Sequence, residues 1–369
     1  MNECSAESLD GYNVQARVAS IFIVFAASAS AVFLPLLIHR AVRRTDAGVK
    51  SSRADLVLTI IKQFGAGVII ATAFIHLLPD AFESFANPCI GDVGYDAWPG
   101  AIALVGVLLT FVIENIGHRI VAERIKRAHN KFSEAEEAQP LIEPTNSHET
   151  ITPHKHTVPA HHHQHGHADE PEHSFLDHGQ YHLHTHGHTF YELDDDLTST
   201  DERKQIAESI DRLSLYVLEA GIIFHSVLIG ITLAVATPSA FASLLVVIIL
   251  HQFFEGMALG TRIIAVRSIS RSRRIGLCVW FCSVTPIGIA IGILARRNYA
   301  GDSSPLALWV MGTMNALSAG ILLWVSLVEL LAEEWMHGDL HEASIGKSLA
   351  GFLAVVVGAL LMSVLGEWI

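Results

Sequence analysis

The sequence has little charge, few cysteines and no basic stripe. Charged residues make up 17% of the 369-residue chain, whereas soluble domains usually carry about 25%, so a soluble protein is disfavoured. The net charge is −13, and the chain lacks the lysine- and arginine-rich surface that a nucleic-acid partner requires. The four cysteines form no C-x-x-C pair, which argues against a thiolate zinc site.

Long apolar runs account for the high hydrophobic content of 51%. A run of about 20 predominantly apolar residues is long enough to cross a bilayer as a helix. We therefore expect an all-α, polytopic membrane protein with eight transmembrane helices. The predicted spans, numbered 1 to 8 in chain order, are residues 18–39, 56–79, 98–117, 215–236, 240–264, 275–295, 306–331 and 345–366.

Basic residues between the spans predict the orientation. Segments 39–44, 119–127 and 267–274 are rich in arginine and lysine, and eight alternating spans place all three on one side. Because such loops stay cytoplasmic, both termini are expected outside, although the arginines of 295–297 run against the rule. The plasma membrane is the favoured location, and the vacuolar membrane is the alternative.

A polar insertion divides the chain into three parts. The N-terminal tail and spans 1–3 occupy 1–127, a predicted disordered cytoplasmic loop occupies 128–211, and spans 4–8 occupy 212–369. Fourteen of the 22 histidines lie between residues 148 and 188. Such a composition cannot bury a core, but its imidazoles can bind metal. The candidate loop ligands are His161, His162, His163, His165, His167, His182, His184, His186 and His188.

Polar residues interrupt spans 4 and 5 at matching depths. His225 lies thirteen residues before Pro238, in the turn between the two spans, and His251 lies thirteen residues after it. At a rise of about 1.5 Å per residue, both histidines should lie close to 20 Å from the turn, near the bilayer centre. Glu255 follows His251 by four residues and therefore shares its helix face.

A divalent cation would offset the cost of burying these groups, since it neutralises the carboxylate and takes the imidazole lone pairs. Two histidines and one carboxylate suit Zn²⁺ or Fe²⁺. Ser226 and Gln252 each follow a histidine by one residue and offer oxygens on a neighbouring face. The alternative is a polar contact that joins two membrane helices without a metal.

Several motifs resemble those of the ZIP (Zrt/Irt-like) divalent metal transporters, most closely the fungal and plant zinc/iron uptake branch. They are FIHLLPDAF in span 2, HSVLIG in span 4, HQFFEGMALG in span 5, TPIGIAIG in span 6 and SAGILLWVSLVELLAEE in span 7. The resemblance implies a transporter that moves zinc, or zinc and iron, into the cytoplasm. The metal would be the transported substrate, and no cofactor is expected.

The resemblance also implies the transport site. His225, His251 and Glu255 would form the primary site, with Ser226 and Gln252 lining an adjacent second position. Some relatives carry a metal-bridging carboxylate in span 4 where this chain has Ile229. One metal at a time is therefore expected here rather than a two-metal centre.

The predicted topology adds candidates at both ends of the path. His76 and Asp80, four residues apart at the outer end of span 2, are expected at the entrance. Three glutamates at the cytoplasmic end of span 7 are candidates for the exit: Glu329, Glu333 and Glu334. A weaker set near the inner end of span 3 comprises Glu114, Asn115 and His118. Three charged residues near span ends are expected to reach towards the interface: Lys62, Glu219 and Glu367.

Cys4 and Cys89 are the two cysteines outside the apolar spans, and both are predicted outside the cell. Disulfides persist in that oxidising compartment. A bridge between them is therefore expected to hold the N-terminal tail over the entrance.

Two other functions remain open at this point. An intramembrane zinc hydrolase would also bury histidine and carboxylate ligands, but it would need H-E-x-x-H or a free carboxylate as general base. A metal-sensing receptor would use the cytoplasmic loop as its effector, although no folded output domain is recognisable there. The expected partners are divalent cations and the lipid bilayer but no nucleic acid, and a homodimer is an open possibility.

Overall fold

The computed structural model describes residues 12–45, 52–137, 200–266, 268–295 and 305–368. Regular structure in these ranges is helical throughout, which confirms the all-α prediction. The α-helices are Val14–Thr45, Ser52–Ala71, Leu78–Ala86, Trp98–Glu137, Thr200–Val235, Phe241–Ala265, Arg271–Ala295, Pro305–Trp324, Glu333–Met336 and Ile345–Leu365.

Within the described ranges, eight helical stretches are long and apolar enough to cross a membrane, as predicted. Spans 1 to 8 are Val14–Ala41, Leu56–Ala86, Trp98–Arg124, Glu208–Val235, Phe241–Ala265, Arg271–Ala295, Pro305–Met336 and Ile345–Leu365.

The chain divides into two compact units. The first comprises residues 1–125 and 185–369 and contains the spans; of the second, 126–184, the structure describes only 126–137. Residues 128–137 and 200–211, which were predicted to belong to the disordered loop 128–211, are helical. These flanks are rich in alanine, glutamate, lysine, arginine and glutamine, which favour helix even where it is polar. The loop histidines predicted to bind metal lie outside the described residues.

Two groups of spans pack within the first unit. Span 1 packs along spans 5 and 6, and span 4 packs along span 6; span 2 packs along spans 7 and 8. The groups meet where span 2 contacts span 5 and where span 4 contacts span 7. Gly230 and Gly288 bring spans 4 and 6 into backbone contact, since a Cβ on Gly230 would come within 2.9 Å of the Gly288 Cα.

Arg17 connects span 1 to the turn between spans 4 and 5 through hydrogen bonds and ring contacts. Its side chain is buried, and its Nε donates to the Ala234 carbonyl at 3.1 Å. The guanidinium lies 4.4 Å from the Tyr12 ring centroid and 4.0 Å from that of Phe241. Since the carbonyls at a helix C-terminus attract cations, this contact fixes the turn from which both histidine-bearing helices descend.

Two π-helical segments interrupt spans 2 and 7, at Thr72–Leu77 and Val325–Ala332. A π turn closes its hydrogen bond one residue later than an α turn, so it changes the direction of the side chains around it. The first segment contains His76 and the second contains Glu329. Such insertions are frequent at functional sites.

Candidate metal site

His225, His251 and Glu255 come together inside the bundle. The His225 Nε2 lies 3.2 Å from the His251 Nε2, and the latter lies 3.3 Å from the Glu255 Oε1. Within the described residues, these three are the one group of histidine, cysteine and acidic side chains with ligand atoms all within 4.8 Å of one another. Spans 4 and 5 therefore present their polar groups at one depth.

The three side chains are at most 1% exposed, and the protein alone does not satisfy their polar atoms. The Nδ1 atoms of both histidines and the Glu255 Oε2 have no hydrogen-bond partner. Burying polar groups without hydrogen-bond partners costs free energy. Each imidazole is neutral when its Nε2 offers a lone pair to a metal ion placed between the three side chains. One carboxylate and two such imidazoles form a donor set suited to Zn²⁺ or Fe²⁺.

His76 lies beside this cluster rather than at a solvent-facing rim, where it was predicted. It is 1% exposed, and its ring centroid is 5.3 Å from that of His251. Its Nε2 lies 2.8 Å from the Met362 carbonyl oxygen of span 8. Because a carbonyl can only accept, Nε2 carries the proton and Nδ1 keeps its lone pair. Span 2 was predicted to end at residue 79, but it continues to Ala86, so His76 lies ten residues before its outer end rather than at that end.

Ser226 and Gln252 are buried next to the histidines, as their sequence positions require. The Gln252 amide nitrogen donates to the Thr285 hydroxyl of span 6, which leaves its Oε1 without a partner. The Ser226 hydroxyl also has no hydrogen-bond partner. Both residues thus keep an oxygen available near the cluster, while Ile229 contributes only an apolar surface.

A cavity of about 180 Å³ reaches His225 from the end of the bundle that is predicted to face outside. Asp80 lines it from span 2, and Ile229 lines it from span 4. The cavity therefore connects the predicted entrance carboxylate with one ligand of the cluster.

Span 7 contributes polar residues that the sequence analysis overlooked. Asn315 lines the same cavity, and its Oδ1 has no hydrogen-bond partner although the residue is 5% exposed. Ser318, one turn further along, is also buried with an unpartnered hydroxyl. Asn315 and Ser318 are three residues apart and therefore lie on one face of the helix, and this spacing was the available signal for a polar face on span 7.

The opposite end of the bundle is closed by a network of charged side chains. The Arg262 Nη2 lies 3.8 Å from the Glu329 Oε2 and donates to the Ser214 hydroxyl at 3.1 Å. The carboxyl groups of Glu329 and Glu114 lie within electrostatic range of each other, and the Trp324 Nε1 donates to Glu114 at 2.6 Å. This network joins spans 3, 4, 5 and 7.

The other two predicted exit residues occupy different surroundings. Glu334 is buried and forms a salt bridge with Lys62, which was expected to reach towards the interface instead. Glu333 lies 3.6 Å from the His337 Nδ1, and its Oε1 has no hydrogen-bond partner. Glu219 was also predicted to reach the interface, but it is buried with an unpartnered Oε1.

Cys89 is disulfide-bonded, whereas Cys278 and Cys282 are free, buried thiols. The predicted partner, Cys4, lies outside the described residues.

Comparisons with known proteins agree with this architecture. Residues 14–366 match the model of one family, described as ZIP Zinc transporter. Zinc-regulated transporter 1 of Candida albicans is 32% identical over 97% of this chain, which spans 62% of that protein's length. Zinc transporter 3 of rice is 31% identical over 98% of this chain and 92% of its own length. Fe(2+) transport protein 2 of rice is 29% identical over 95% of this chain and 85% of its own length.

Proposed function

The chain belongs to the ZIP family of zinc transporters, and on this premise we propose that it carries Zn²⁺, with Fe²⁺ as an alternative substrate, into the cytoplasm. The family consists of divalent metal transporters rather than enzymes, so the hydrolase alternative is set aside. The cluster of His225, His251 and Glu255 is the observation that carries the proposal.

A cation enters through the outer cavity. Asp80 is the carboxylate that attracts it there, and Asn315 offers a carboxamide oxygen on the facing helix. His225 lines the cavity and also contacts His251, so it is the first nitrogen ligand that the cation reaches. This order takes the metal from oxygen ligands and water to a site rich in nitrogen.

The central site binds one metal at a time. His225, His251 and Glu255 supply three ligands. His76 is the candidate for a fourth, because its ring centroid is 5.3 Å from that of His251 and its Nδ1 has no hydrogen-bond partner. Ser226 and Gln252 supply oxygens at the adjacent position. Ile229 offers no ligand atom, which supports a single bound metal.

Release leads to the glutamates of span 7. Glu329 lies on the cytoplasmic side of the central site, with Glu333 one turn further, and Glu334 beside it. Carboxylates are weaker ligands for Zn²⁺ than an assembled nitrogen site, so they favour passage over retention. The network around Arg262 must rearrange before a cation can pass.

The direction of transport rests on the arrangement of basic segments. Because arginine-rich loops remain cytoplasmic, both termini face outside and the cavity at Asp80 opens outward. We place the protein in the plasma membrane, with the vacuolar membrane as the alternative location. A homodimer is the assembly to test by light scattering of the purified protein.

A flux assay tests the function directly. Purified full-length protein in liposomes, loaded with a metal-sensitive dye, should give saturable, inward flux of Zn²⁺ or Fe²⁺. The double variant His251→Ala/Glu255→Gln is the matched control and should give only the leak of protein-free liposomes. Equal signals from the two preparations would refute transport, whereas zinc binding without flux would favour the sensor alternative.

A further inference from the structure

Arg262 lies on the route between the central site and the exit. It follows Glu255 by seven residues on the same helix. Seven residues are close to two turns, so both side chains project from one face about 10 Å apart along the axis. A cation that leaves Glu255 towards the cytoplasm along this face therefore meets a guanidinium.

The contacts of Arg262 cross the boundary between the two groups of spans. From span 5, its Nη2 reaches Ser214 of span 4 at 3.1 Å and Glu329 of span 7 at 3.8 Å. The side chain is 10% exposed, and its Nε has no hydrogen-bond partner. Arg262 is therefore mostly buried, yet one of its nitrogens has no hydrogen-bond partner, as expected for a side chain that must leave its position.

The carboxylates around Arg262 are those that an exiting cation needs. Glu329 lies 3.8 Å from Arg262 and within electrostatic range of the Glu114 carboxyl group, and Glu333 lies within electrostatic range of the same guanidinium. While Arg262 occupies this position, its charge neutralises Glu329. The ion pair therefore attracts a dication much less than a free Glu329 carboxylate would.

We infer that Arg262 is a tethered counter-cation that closes the inner end of the path by occupying the exit carboxylates in place of the metal. Arg262 is thus a positioning residue that keeps Glu329 unavailable to metal until span 5 moves relative to span 7. This inference deepens the proposed function and rests on it, because it assumes that the cation leaves past Glu329.

Zinc binding at the exit tests this role without requiring flux. The central site is first disabled with His251→Ala/Glu255→Gln, and Zn²⁺ binding to the purified full-length protein is measured by calorimetry. Adding Arg262→Met to this core-disabled parent should create one site that binds Zn²⁺ with at least about ten-fold higher affinity than any site of the parent. Adding Arg262→Lys, which keeps a positive charge, should not create it, and Glu329→Gln in the Met background should abolish it.

Arg273→Met is the matched control, since it removes an exposed arginine from the same end of the bundle. It should leave zinc binding at the level of the core-disabled parent. Size-exclusion profiles and Tm values verify folding, and Arg262→Gln replaces the Met variant if the latter is not monodisperse. The inference is overturned if neither neutral variant gains a site, or if the Lys variant gains the same site.

The two failures are distinguishable. Flux retained by the core-disabled protein would refute the proposed transport site, whatever Arg262 does. A wild-type flux that depends on the core, combined with no new zinc site in the neutral Arg262 variants, would leave the transport function intact and refute only the gate.

Discussion

Replacing His251 with alanine should abolish transport. Its Nε2 contacts both other ligands, at 3.2 Å from the His225 Nε2 and 3.3 Å from the Glu255 Oε1. His225 and Glu255 lie on different helices, so no second side chain connects them once His251 is removed.

The size of the expected loss follows from the share of the zinc-binding free energy that one ligand supplies. The free energy of zinc binding at a structural site with four ligands is about 10–16 kcal/mol, so one ligand accounts for about 3 kcal/mol of it. At about 1.4 kcal/mol per ten-fold change, zinc affinity should fall by at least a hundred-fold. Flux at micromolar zinc should then approach that of protein-free liposomes. The same argument applies to His225→Ala and Glu255→Ala.

The assay combines flux in liposomes with the amount and monodispersity of purified protein. His341→Ala is the control, because this histidine is exposed and lies outside the cluster; it should retain wild-type flux. A His251→Ala protein that folds and transports zinc at the wild-type rate would refute the assignment of His251 as a ligand.

Three further predictions concern residues outside the cluster. His76→Ala should lower kcat by at least about ten-fold, because the residue lies beside the site, whereas Asp80→Ala should raise KM and leave kcat nearly unchanged. A raised KM with unchanged kcat for His76→Ala in steady-state flux would place His76 at the entrance. Deleting residues 148–188 should leave flux intact but weaken metal-triggered removal from the cell surface, and loss of flux in a correctly localised deletion would put the loop in the pathway. Peptide mapping without reductant should recover linked peptides containing Cys4 and Cys89, and alkylation of both thiols would rule out the bridge.

The number of spans and the central cluster could be predicted because local sequence determines both. Apolar run length fixes whether a helix can cross the bilayer, and equal distances of His225 and His251 from Pro238 fix their depth. The four-residue spacing to Glu255 then follows from helix geometry alone. None of these steps requires knowledge of which distant helices touch.

The remaining site features depend on such distant contacts. The pairing of Arg262 with Glu329, and that of Lys62 with Glu334, joins helices far apart in sequence. His76 was expected at the rim because the polar residues of 80–86 were left out of span 2, whereas the span continues to Ala86 and His76 is buried inside the bundle. The helical extensions at 128–137 and 200–211 were missed because polarity was taken as a sign of disorder.

The presence of a single carboxylate among the three central ligands has an electrical consequence. Two neutral imidazoles and Glu255 give the empty site a charge of −1, and a bound dication changes it to +1, since Ile229 adds no second carboxylate. An inside-negative membrane potential therefore favours inward movement of the loaded site and also outward movement of the empty one. At about 2.3 kcal/mol per charge per 100 mV, the two charges carried by each cation couple uptake to voltage by about 4.6 kcal/mol at that potential. In the plasma-membrane orientation proposed above, the membrane potential would therefore drive metal uptake.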